Sequence, residues 1–81
     1  MKINLAQRFG LCVRELRLAT GMSQVVFGEK CGFYQTYLSR IENGQANPSL
    51  NAIEVIANAF GMTFSSCLSA LSSNGPDKPL D

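Results

Sequence analysis

Eighty-one residues, 46% of them hydrophobic, with a net charge of +1, suffice for one small folded domain; they exclude a disordered chain and a two-layer enzyme with a deep cleft. So weak a charge also excludes bulk electrostatics as the basis of nucleic-acid affinity, which would have to rest on where the charge is placed. Histidine is absent. With neither paired carboxylates at a useful spacing nor a Gly-rich phosphate loop, nothing points to catalysis, a cofactor or a small-molecule substrate.

The acidic residues Asp77 and Asp81 conceal part of the charge. Residues 1–72 set Lys2, Arg8, Arg14, Arg17, Lys30 and Arg40 against Glu15, Glu29, Glu42 and Glu54, a small positive excess. The start of the chain, MKINLAQRFG, has no apolar run long enough for a signal peptide, and no segment approaches a membrane span. A cytoplasmic protein with no membrane partner is expected. Cys12, Cys31 and Cys67 are odd in number and widely spaced. They read as buried thiols, because a metal site would need a CxxC pair or a fourth ligand.

The spacing predicts five short helices and no strand, an all-α bundle. Leu5, Phe9, Cys12, Val13 and Leu16 recur at three and four, one stripe of a helix from about Asn4 to Thr20 that Gly21 ends. Ser23 is the expected N-cap of a second helix, to about Lys30, with Phe27 and Cys31 facing inward. Gly28 within it costs about 1 kcal/mol relative to alanine, which suggests close approach of another helix. A tight turn at Cys31-Gly32-Phe33 leads to a third helix, about Tyr34 to Asn43, stopping at Gly44. Asn47 or Ser49 would cap a fourth, which faces inward with Leu50, Ile53, Ile56, Ala57 and Phe60 and stops at Gly61. A fifth, from about Thr63 to Leu71, would bury Phe64, Cys67, Leu68 and Leu71. Residues 1–71 thus form the domain, and residues 72–81, with Gly75, Pro76 and Pro79, read as a disordered tail.

The third helix is divided between two characters. With Gln35 at zero on a wheel of about 100° per residue, Ser39 falls near 40°, Thr36 near 100° and Arg40 near 140°. Tyr37, Ile41 and Leu38 occupy about 200–300°, the half that faces a core. The polar half is either the solvated side of an amphipathic helix or a surface for base edges, and it holds no acid and no lysine. Glutamine pairs with adenine through N6 and N7, arginine with guanine through O6 and N7, and a threonine methyl can touch thymine. A helix held on a scaffold in this way can enter the DNA major groove.

The pattern Leu16-Arg17, Gly21-Met22-Ser23-Gln24, Phe27-Gly28, Gly32, Tyr37-Leu38-Ser39, Ile41-Glu42-Asn43-Gly44 and Pro48-Ser49-Leu50 resembles the helix-turn-helix family of lambda-type repressors and Cro proteins. Thr36-Tyr37-Leu38-Ser39 is most similar to the small controller proteins of restriction–modification systems. The likeness spans about residues 5–71. It implies a regulator of transcription that binds a double-stranded operator. Gln35, Thr36 and Arg40 would read bases. Gln24 would touch a phosphate and brace Gln35, with Ser23, Tyr37, Ser39, Asn43 and Asn47 near the DNA backbone. Arg17 and Glu42 match a structural ion pair of the family. The chain departs from the pattern in lacking an acid at Val25 and Val26, in Gly28 where alanine is usual, and in having no lysine or arginine at 45–47.

One recognition helix reads too few base pairs to select a site, so a homodimer is expected. Val55, Ala59, Met62, Phe64, Cys67 and Leu71 supply more apolar surface than one small core needs, and no lysine or arginine occurs between Arg40 and Lys78. The rival reading, an antitoxin that covers a toxin, calls for a long arm that folds on its partner. After Leu71 only ten residues remain, with Leu80 the single aliphatic one among them.

Overall fold

The computed structural model describes residues 4–73, and for 70–73 the backbone only. It contains α1 (Leu5–Thr20), α2 (Gln24–Cys31), α3 (Gln35–Glu42), α4 (Leu50–Ala59) and α5 (Phe64–Ser73), and among the described residues all regular structure is helical. α5 therefore takes in Ser72 and Ser73, which the sequence reading had placed in the tail, and 74–81 lie outside the described residues.

Local chemistry sets the ends. Asn4 and Gln7 form a reciprocal capping box, with bonds of 2.8 and 3.0 Å, at the start of α1. Ser23 Oγ accepts from Val26 N at 3.1 Å to start α2. Of the two candidate caps for α4, Ser49 is the one used, accepting from Ala52 N at 3.1 Å. Gly21, Gly44 and Gly61 sit at the predicted stops. Gly32 has φ 76°, a left-handed angle that a Cβ would strain, and there the chain reverses between α2 and α3.

The core gathers Phe9, Cys12 and Val13 of α1, Phe27 and Cys31 of α2, Leu38 and Ile41 of α3, Ile56 and Ala57 of α4, and Cys67 of α5. Phe27 stacks on Phe60 with ring centroids 4.4 Å apart. All three cysteines are buried, and no group of residues that could hold a metal occurs among the described residues. Burial pushes the Cys67 thiol up and the Cys31 thiol up to about 11, Lys30 offsetting part of the latter.

Several inward assignments need correction. Leu5 and Leu50, the first residues of α1 and α4, are 62% and 72% exposed, and Leu68 is also exposed, lining a surface pocket with Leu5 rather than joining the core. Cys67, expected at a dimer interface, is 1% exposed and belongs to the core of the chain itself. At Gly28 it is the turn leading into α3 that approaches: a Cβ there would lie 3.0 Å from the Phe33 carbonyl oxygen and 3.9 Å from the N of Gln35, the first residue of α3. The tighter helix–helix approach is at Gly10, where a Cβ would collide with the Ile41 carbonyl and lie 2.7 Å from that of Glu42. α1 thus packs directly on the last turn of α3.

Candidate nucleic-acid interface

α3 sits on the core through Leu38 and Ile41, both 0% exposed. Its opposite side leaves Gln35, Thr36 and Arg40 exposed and Ser39 half-buried, the division that the wheel predicts. Tyr37 is half-buried, its ring edge-to-face with Phe33 at 5.1 Å. It therefore serves the packing of the turn as well as the surface. Arg40 Nη2 donates to the Gln45 carbonyl at 3.2 Å, which holds the guanidinium toward the loop after α3.

Behind this surface lies a buried ion pair. Arg17 Nε donates to Glu42 Oε2 at 2.7 Å and Arg17 Nη2 to Glu42 Oε1 at 3.0 Å, a bidentate fork between α1 and the end of α3. The Glu42 carboxylate accepting these bonds raises the Arg17 pKa, more than burial lowers it. Arg17 Nη1 donates to the Met22 carbonyl at 2.9 Å, so the same guanidinium also fixes the segment leading into α2. Glu42 Oε1 accepts a further bond, from Gln24 Nε2 at 3.0 Å. Gln24 Oε1 in turn faces Gln35 Nε2 at 3.5 Å, a long contact at the edge of hydrogen-bonding range.

The sequence-predicted residues fall into three places. Gln24, Gln35, Arg17 and Glu42 form one connected series. Ser23 and Asn43 are exposed at the start of α2 and the end of α3, and the Ser23 hydroxyl also serves as a cap. Asn47 is set apart, on the α3–α4 loop, where it borders a shallow apolar pocket of about 160 Å³ with Leu5, Phe9 and Ile53. Two features escaped sequence reasoning: the Gln24–Glu42 bond, which spans 18 residues, and the Gly10 contact, whose sole signal was a glycine inside a helix.

A protein-family model for a helix-turn-helix domain matches residues 8–64, more than half of the chain. This protein belongs to the helix-turn-helix domain family. Control protein C.BamHI of Bacillus amyloliquefaciens is 41% identical to it over 63 residues, spanning 76% of this chain and 78% of that protein. Control protein C.MunI of Mycoplasma sp is 40% identical over 63 residues, spanning 76% and 85% respectively. The crystal structure of the restriction-modification controller protein C.AhdI from Aeromonas hydrophila superimposes with a TM-score of 0.73 at 34% identity, covering 76% of this chain and 94% of that one. The helix-turn-helix protein is accordingly a DNA-binding regulator of transcription, not an enzyme. No helix among its described residues is long and apolar enough to cross a membrane.

Proposed function

We propose that this helix-turn-helix protein is a cytoplasmic, restriction–modification type controller that binds a symmetric DNA operator as a homodimer. The observation that carries this reading is the exposed face of α3, where Gln35, Thr36 and Arg40 stand clear of the core on a helix tied at its C-terminal end to α1 and to the following loop. Gln35 and Arg40 match adenine and guanine edges, and Thr36 offers a methyl group to thymine. Ser23, Gln24, Tyr37, Ser39, Asn43 and Asn47 border the phosphates. The likeness to C.BamHI, C.MunI and C.AhdI supports the controller role.

The homodimer rests on α4 and α5. Val55 is exposed, and Ala59, Met62 and Phe64 are half-buried, an apolar set in a stretch with no lysine or arginine between Arg40 and Lys78. The side chain of Leu71, also expected on this surface, lies outside the described residues. Two-fold pairing sets the recognition helices about 34 Å apart, one turn of DNA.

Selection of binding sites from random duplex DNA tests the whole reading. Enrichment of two symmetric half-sites one helical turn apart is expected. Enrichment of no sequence would reject base reading. Sedimentation at micromolar concentration tests the dimer separately, an 8.8 kDa species throughout being the adverse result.

A further inference from the structure

We infer that Glu42 is a positioning residue for base reading: it sets the orientation of the Gln24 amide, and through it the orientation of the Gln35 amide, which biases Gln35 toward adenine over guanine. This rests on Gln35 being a base reader, as proposed above.

The argument begins with what a glutamine amide lacks. Its oxygen and nitrogen ends have nearly the same shape, and rotation about the last side-chain bond exchanges them. A glutamine free to rotate can present acceptor or donor at either place, so it discriminates poorly between bases. Specific reading needs an external group that forbids one of the two orientations.

Glu42 is such a group. It is 3% exposed, and both oxygens of its carboxylate accept bonds from the Arg17 guanidinium. A carboxylate only accepts hydrogen bonds. The end of Gln24 that meets Glu42 Oε1 at 3.0 Å must therefore be the NH2. The Gln24 oxygen is then the end directed to Gln35, and an oxygen there selects the NH2 of Gln35 as its partner, the 3.5 Å contact. One N–H and the oxygen of Gln35 are left for a base. That donor and acceptor match N7 and N6–H of adenine, whereas guanine presents two acceptors, N7 and O6. The order of donors along Arg17, Glu42, Gln24 and Gln35 thus passes from a buried charge to an exposed amide by chemistry alone.

A structural role for the ion pair does not account for Gln24. Arg17 already engages both carboxylate oxygens, and α1 already meets α3 at Gly10. The extra bond leads outward, to the half-buried Gln24 and the exposed Gln35.

The test uses duplexes enriched by the full-length protein from a random pool. Each adenine of a half-site is exchanged for guanine, and the position whose preference is lost in Gln35→Ala is the one Gln35 reads. The adenine-to-guanine affinity ratio at that position is then measured for the wild type, Gln24→Met, Glu42→Gln and the double variant, at a temperature where circular dichroism shows all of them folded. A ratio cancels losses common to all DNA, including a lost phosphate contact. Gln24→Met, which leaves Arg17 and Glu42 paired, is expected to reduce the ratio roughly fivefold or more. Glu42→Gln should reduce it comparably and lower the melting temperature. In the Gln24→Met background, Glu42→Gln should still lower the melting temperature yet leave the ratio where Gln24→Met put it. An unchanged ratio in Gln24→Met overturns the proposal by itself, whatever the stability of the Glu42 variant. So does a further independent loss in the double variant. If Gln35→Ala keeps every base preference, the base-reading role of Gln35 fails first, a result distinct from these.

Discussion

The α2–α3 half of the molecule, with the end of α1, and the α4–α5 half share one apolar core but differ in what is added to it. In the first, Arg17, Met22, Gln24 and Glu42 are joined by bonds of 2.7–3.0 Å, each with one permitted direction. In the second, the described side-chain bonds are the end caps of Ser49 and Thr63, and the remaining stabilisation is apolar, through Ile56, Ala57, Phe60 and Cys67. Directional bonds fix where an amide points, which base discrimination requires. Apolar packing fixes position without polarity, which suffices for pairing with an identical surface. The division of labour implies that mutations in the two halves fail differently.

The largest expected effect is in the directional half. Glu42→Ala strands the Arg17 guanidinium among buried groups and should cost about 3–5 kcal/mol of stability, measured by thermal or denaturant unfolding. A loss below 1 kcal/mol would erase the contrast between the halves. In the apolar half, Val55→Glu should weaken self-association by about 2 kcal/mol, measured by sedimentation, with operator binding falling in parallel and helical content intact. If instead it unfolded the protein, Val55 would be part of the core rather than of an open surface.

Effects on recognition come next. Gln35→Ala and Arg40→Ala should each cost about 1–3 kcal/mol on a selected site, with relaxed preference at one base. Equal losses on selected and random duplexes would reduce both to phosphate contacts. Ser49→Ala removes an end cap in the apolar half and should cost about 1 kcal/mol of stability without altering base preference. A further effect is a matter of pH. The Cys31 thiol ordinarily ionises near 9.0 and is raised to about 11 in the fold. The unfolded chain thus gains from ionisation before the folded one does, so stability is full below pH 9 and declines as pH rises through 9 to 11. Alkylation rates of Cys31 should stay low through that interval in the native protein; a rate rising already near pH 9 would show that the α2–α3 corner opens.

Much of the fold was open to sequence reasoning, because helical period, Ser and Asn caps and glycine stops are local signals. The spacing of Phe9, Cys12 and Val13 and the two-sided character of α3 correspond to what is buried and what is exposed. Leu5 and Leu50 were misplaced for a definite reason: periodicity shows which residues share a face, but not how far a neighbouring helix extends over it. The Arg17–Glu42 pair came from a family pattern, since two charges 25 residues apart carry no local signal. The Gln24–Glu42 bond was hidden altogether, because Gln24 satisfies every expectation of a surface residue until α3 is folded against it.

The tight seat of α3 on Gly10 bears on redesign. Any side chain at that position would meet backbone carbonyls of the last α3 turn, which cannot rotate out of the way as a side chain could. On the proposed function, α3 can therefore receive new outward residues at 35, 36 and 40 as a tool holder receives bits, while its height above the scaffold stays set by a residue on another helix. A variant library confined to α3 would explore base preference at constant docking depth; one that also varied position 10 would change the depth itself and lose that common reference.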